Sequence, residues 1–191
     1  MNIGLYPKQE MPGKEGGMDV GVIGLGKMGL LHAAIFNRLD GCRVTALCDV
    51  NELMLKILRS GNDDVRTYTD FQIMLDENDL DIVVVASPDH LHVRQAVRAL
   101  SLGRHVACEK PMAPTVKDCR AIAAAVRRSG KVFVTGQLCR FRPDFVLAKK
   151  LVEQGRIGDI AFIESQYYHD YSRVPGVNNW RKDSKIRREG F

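Results

Sequence analysis

Short apolar runs alternate with stretches of helical periodicity through most of the 191-residue chain. The runs near 19–24, 43–48, 65–68, 81–86, 105–108 and 131–135 have strand length and end in turn-forming residues. Between them, Met28 to Leu39, Glu52 to Ser60, Leu91 to Leu102, Val116 to Ser129 and Asp144 to Gln154 repeat their apolar residues at the spacing of a helix face. Gly103, Gly130 and Gly155 fall just past helix ends, and Thr115 with Asp118 has the spacing of an N-terminal cap. Strand and helix in strict succession predict an α/β fold with a doubly wound parallel sheet. Asp81-Ile82-Val83-Val84-Val85-Ala86 is apolar without alternation, as a strand covered on both faces must be.

The first strand runs directly into Gly24-Leu25-Gly26-Lys27-Met28-Gly29, and the second apolar run, Val44 to Cys48, is closed by Asp49. That combination is the dinucleotide-binding fingerprint of a Rossmann domain. Gly24 permits the tight strand-to-helix turn, Gly26 lets the backbone approach a pyrophosphate, and Gly29 lets the helix pack closely on the sheet. The loop backbone through Lys27 and Met28 then offers helix amides to the phosphate charge. Asp49 is placed to accept hydrogen bonds from the adenosine ribose hydroxyls and would repel a 2′-phosphate. Val50, Asn51 and Glu52 supply no cation to offset that repulsion, so NAD is expected in preference to NADP. Gly24, Asp49, Ser87 and Glu109 all stand at carboxyl ends of strands, which predicts one crevice lined by four distant segments.

The pattern changes after Gly155. Ile160 to Tyr168 reads as a strand with no partner downstream, and an isolated strand leaves two edges of backbone groups unpaired. The expectation is therefore a chain that is truncated, or one completed by a partner. Residues 1–17 read as a loose leader, with Met1 or Met18 as the start; 18–137 as the nucleotide-binding domain; and 138–191 as a linker helix with the incomplete beginning of a second domain.

Composition narrows the function classes. No apolar run has the roughly 20 residues a membrane helix needs, and the leader lacks the apolar centre of a secretory signal. Five cysteines, odd in number and without a Cys-x-x-Cys pair, predict reduced thiols in a cytoplasmic protein. The net charge of +5 invites a nucleic-acid reading, but much of it sits in Arg181, Lys182, Lys185, Arg187 and Arg188, opposed by Asp183 and Glu189. A terminal charge run is a solvated segment, so no nucleic-acid partner is expected. His90 and His92 attract attention as a metal pair, yet no further ligand gathers at the right spacing, and no metal is expected.

Glu109-Lys110-Pro111 ends the fifth strand. Together with the glycine loop, Ser87-Pro88-Asp89-His90-Leu91-His92 and Arg140-Phe141-Arg142-Pro143, it resembles the glucose-fructose oxidoreductase, inositol dehydrogenase and MocA (Gfo/Idh/MocA) family over roughly residues 18 to 191. The resemblance implies a Rossmann domain followed by an α/β substrate domain, a homo-oligomer in the full-length form, and hydride transfer between NAD and a sugar, cyclitol or related polyol. It implies that Lys110 is the catalytic lysine, near the substrate hydroxyl and the nicotinamide. A cation there stabilises the developing alkoxide or relays its proton.

By the same resemblance, Glu109 makes nicotinamide-side contacts, Ser87, Pro88 and His92 form the loop beside the cofactor, Gln137 lies near the nicotinamide ribose, and Trp180-Arg181 reaches back to the cofactor. The family often has Asn where Asp89 stands. Arg140 and Arg142 either bind substrate or pair with acids between the two domains, and His169 with Asp170 are at most substrate contacts. The family's glycine-rich segment with its catalytic Asp and His does not occur in these 191 residues. Two other readings follow: a non-catalytic NAD-binding or sensing module, and a methyl transferase with an adenosyl cofactor, which gives Lys110 no role.

Overall fold

The computed structural model describes residues 17–60, 64–166 and 168. Six parallel strands form one sheet in the order β3-β2-β1-β4-β5-β6. The strands are β1 (Met18–Ile23), β2 (Cys42–Cys48), β3 (Arg66–Tyr68), β4 (Ile82–Val85), β5 (His105–Cys108) and β6 (Phe133–Thr135). The order reverses between β1 and β4, the point beyond whose strand carboxyl ends sheets of this kind bind their ligands.

The helices are α1 (Lys27–Phe36), α2 (Glu52–Arg59), α3 (Phe71–Glu77), α4 (His92–Ser101), α5 (Val116–Ser129) and α6 (Pro143–Glu153), with single 3-10 turns at Asp89–Leu91 and Leu138–Phe141. Helix α3 is not among the helices that the periodicity predicts. Its signals are Asp70, whose carboxylate accepts the Gln72 N–H at 2.7 Å, and the spacing of Phe71, Met74 and Leu75. Helix α1 stops at Phe36, short of the expected Leu39, where Asn37 turns its side-chain oxygen toward the Val44 N–H at 3.3 Å. Thr115 caps α5 as expected, accepting the Asp118 N–H at 3.1 Å, and Gly130 closes that helix at φ 65°.

Each face of the sheet carries its own core. On one face Ile23, Ala46, Val83, Val85 and Val106 pack against Met74 and Leu75 of α3, Leu100 of α4 and Ile122 of α5. On the other, Val20, Val22, Val44 and Val84 pack against Leu30 and Phe36 of α1 and Leu55 of α2. All four residues of β4 are buried, which explains its unalternating sequence. Each such aliphatic side chain contributes about 1.5–3 kcal/mol by leaving water. The second face is not covered to its end: Val132 and Val134, beside and within β6, are half exposed.

The expected strand from Ile160 is not formed: residues 160–166 take no regular structure and are exposed. Alternation alone cannot make a strand, because its backbone groups need a neighbour, and no edge of the sheet receives this segment. Every described residue from Leu138 onward lies outside the buried class, including all of α6.

Candidate functional site

The strand ends are locked to one another by a continuous series of backbone bonds. Gly24 N–H donates to Cys48 O (2.8 Å), Ala86 to Ile23 O (2.8 Å), Glu109 to Val85 O (2.8 Å) and Gly136 to Cys108 O (2.8 Å). The first residue of each crevice loop is thus held by the strand beside it, and the four segments expected to meet do meet.

The three glycines of the first loop serve different ends. Gly24 adopts φ 88°, and a Cβ there would lie 2.6 Å from the Ser87 nitrogen. At Gly29 a Cβ would collide with the Gly24 carbonyl. Fold and packing therefore demand glycine at both. Gly26 is different: its φ of −67° is open to any residue, and a Cβ would meet no atom within 4 Å. Among the described residues nothing needs glycine at position 26, and the close approach of a ligand to the loop backbone is a reason for it. Gly26 also opens α1 with no side-chain cap and no acid in the first turn, so the amides near Lys27 and Met28 stay free for an anion.

Asp49 faces the same loop. One carboxylate oxygen accepts the Leu25 N–H at 2.6 Å and the other the Asn51 N–H at 2.9 Å. Each oxygen retains a lone pair, so a carboxylate fixed by two backbone donors can still receive the two hydroxyls of a ribose. Loop, helix start and acid together fit a dinucleotide.

The opposite wall is made by Ser87-Pro88 after β4 and Glu109-Lys110-Pro111 after β5. Ser87 is half-buried, its hydroxyl donating to Gln95 Oε1 at 2.5 Å. Glu109 is 8% exposed. Its Oε1 lies 2.8 Å from His32 Nε2, and its Oε2 accepts the Lys110 N–H at 3.2 Å. The His32 bond, followed by that backbone donor, holds the Glu109 carboxyl below the usual range against the opposing effect of burial. His32 was missed from the sequence, although a residue one turn after Gly29 shares its helix face and so points at the strand ends.

Lys110 stands exposed at the rim, between the two anchored residues Glu109 and Pro111. His92 is the first residue of α4. It is 1% exposed, with Nδ1 2.9 Å from Pro111 O and Nε2 2.9 Å from Ser87 O. Both ring nitrogens face backbone carbonyls within hydrogen-bond distance, which ties His92 to the Ser87 loop and the Pro111 turn. Gln137 follows β6 at the surface, and Arg140 is exposed on the 3-10 turn. Arg142 pairs locally with Asp144 at 2.6 Å and lies over Phe145. His169, Asp170, Trp180 and Arg181 lie outside the described residues. Among the described residues no group of His, Cys, Asp or Glu could hold a metal ion, and no helix is long and apolar enough to cross a membrane.

A cavity of about 520 Å³ lies away from this crevice, between Asp19, Arg43, Arg66 and Asp79 near the amino ends of the strands. It shares no residue with the glycine loop. Strand-end geometry, rather than this cavity, marks the candidate site.

A family model for oxidoreductases with an NAD-binding Rossmann fold, Gfo/Idh/MocA, matches residues 18–137. Similar proteins include 1-carboxy-3-chloro-3,4-dihydroxycyclohexa-1,5-diene dehydrogenase of Comamonas testosteroni, 32% identical over 83% of this chain and 40% of the relative. Inositol 2-dehydrogenase 1 of Saccharopolyspora erythraea is 35% identical over 73% of this chain and 42% of its own length. Among solved structures, scyllo-inositol dehydrogenase from Lactobacillus casei with bound NAD(H) and scyllo-inositol superposes with a TM-score of 0.68 at 28% identity, covering 75% of this chain and 43% of that one. The chain thus spans less than half the length of each of these relatives.

Proposed function

This chain belongs to the Gfo/Idh/MocA family of oxidoreductases with an NAD-binding Rossmann fold, and from that membership we propose that it binds NAD in the β1–β4 crevice for hydride exchange with a sugar, cyclitol or related polyol. The observation that carries the cofactor assignment is Gly26, a glycine that no described residue requires, at the mouth of an uncapped helix. Residues 18–137 are read as the cofactor domain and 138–191 as a linker helix leading into a substrate domain. That no described residue after Gln137 is buried supports that division.

Bound NAD supplies the hydride acceptor or donor. The chain supplies the rest. Gly24, Gly26 and Gly29 shape the loop, and the amides around Lys27 and Met28 meet the pyrophosphate charge. Asp49 accepts the adenosine ribose hydroxyls and disfavours a phosphate there. Ser87, Pro88, Glu109 and Gln137 line the nicotinamide side. Lys110 Nζ, on an exposed residue at the rim, stabilises the charge left when a substrate hydroxyl gives up its proton, or passes that proton to solvent. The inositol dehydrogenases among the relatives support a cyclitol as the substrate class.

The reading is tested by mixing the chain with NAD+ and inositols deuterated at the hydroxyl-bearing carbons, and weighing the recovered nicotinamide by mass spectrometry. Label should reach the cofactor even at slow turnover and fall by about 10²-fold or more in Lys110→Met, the usual scale for losing a proton-handling group. Saturable NADH binding without label transfer for any polyol would favour the non-catalytic NAD-binding module instead.

A further inference from the structure

Lys110 is exposed, and its backbone is held through its two neighbours in the chain. On one side, Glu109 is fixed by His32, which belongs to α1, the helix that meets the pyrophosphate (Nε2 to Oε1, 2.8 Å). On the other side, Pro111 O is fixed by His92, the first residue of α4, which also contacts Ser87 O, each at 2.9 Å. The two histidines come from different helices and from opposite faces of the sheet, yet converge on three consecutive residues.

We propose that His32 and His92 are positioning residues: together they brace the Glu109-Lys110-Pro111 turn and so couple the position of Lys110 to the helix and the loop that hold the two ends of the cofactor. The inference rests on the cofactor reading above but adds to it two residues that touch neither NAD nor substrate.

Three features of the contacts support the brace. Glu109 is nearly buried, and a buried carboxylate without donors is costly, so His32 is needed to keep its charge in place. The same carboxylate receives the Lys110 backbone N–H, so movement of Glu109 is transmitted directly to the lysine backbone. His92, fully buried, ties the Ser87-Pro88 loop to the same turn and leaves no slack between the walls of the crevice.

The test has two parts. The first needs no cofactor. Hydrogen exchange of the Lys110 amide, followed by NMR, should accelerate about ten-fold in His32→Leu and return toward wild type in His32→Gln, which keeps a donor near Nε2. Amides within α5 should not change. The second part compares NADH with ADP-ribose, which lacks the nicotinamide. His32→Leu should weaken NADH about ten-fold, as expected for one lost hydrogen bond to a charged group, and leave ADP-ribose within about two-fold.

His92→Asn retains a donor facing Pro111 O and should lose less NADH affinity than His92→Leu; if the Leu variant does not fold, His32, at one quarter side-chain exposure, carries the decision. Unchanged Lys110 exchange in His32→Leu would overturn the brace. Equal loss of both ligands would overturn its role at the nicotinamide end. Failure of the wild type to bind either ligand would refute the cofactor reading alone, because the exchange measurement decides the brace independently.

Discussion

Helices α5 and α6 are of similar length, 14 and 11 residues, and both are legible in the sequence, but they end differently. Helix α5 buries Ile122 and Ala125 against the sheet, while α6 buries nothing and leaves Phe145, Leu147 and Leu151 exposed. Both begin with sound local signals, a Thr115 cap in one and Pro143 at the helix start in the other. Local signals therefore settle where a helix forms, and only a covering element settles whether it contributes to a core. Everything proposed for chemistry in the described residues lies on the well-packed side of that divide, at strand ends whose positions are set by two cores. A site that must hold a lysine and a dinucleotide to within fractions of an ångström needs that support.

The sharpest way to break the contrast is to remove equivalent apolar side chains from the two regions. Ile122→Ala should cost about 2–5 kcal/mol in urea unfolding, because it leaves a cavity in a core that cannot collapse onto it. Leu147→Ala, on the exposed face of α6, should stay within about 0.5 kcal/mol of wild type. Similar losses at both positions would mean that α6 is packed after all.

The same comparison can be drawn inside the glycine loop. Gly29→Ala forces a methyl into the Gly24 carbonyl and should destabilise the domain by roughly 1–3 kcal/mol or more, in addition to spoiling the loop. Gly26→Ala meets nothing and should leave thermal stability within about 0.5 kcal/mol while weakening NADH by about ten-fold or more. Stability and binding are then separated within one turn of chain.

A smaller effect distinguishes the two acidic groups whose carboxyls are held low. Glu109 owes its shift first to the His32 hydrogen bond in a nearly buried setting, Asp144 to Arg142 at the surface. A carboxyl whose folded pKa is depressed adds stability above its unfolded pKa and loses it as pH falls through the folded one. The advantage of wild type over Glu109→Gln should therefore be full near neutral pH and shrink on acidification below the ordinary glutamate range, about 4.3. Asp144→Asn should show much less pH dependence, since solvent screens an exposed pair. Chemical denaturation repeated across that pH range reads both.

How much of this the sequence disclosed follows from the same divide. The strands, the glycine loop and Asp49 were legible because period and turn chemistry are local. The short helix α3 escaped although Asp70 and the Phe71, Met74, Leu75 spacing announce it, since seven residues make little periodicity. The roles of His32 and His92 depend on contacts across the sheet, 77 positions away in one case and 19 in the other, which no window along the chain contains. The strand expected from Ile160 failed for the converse reason: alternation is local, but a strand is made by its neighbour.

Calorimetric titration of the chain with NADH and NADPH tests the central claim most directly. Saturable NADH binding is predicted, at least about ten-fold tighter than NADPH, with the preference lost in Asp49→Ala because the carboxylate that repels the 2′-phosphate is gone. No NADH binding at millimolar concentration, or a preference unaltered in Asp49→Ala, would contradict the account.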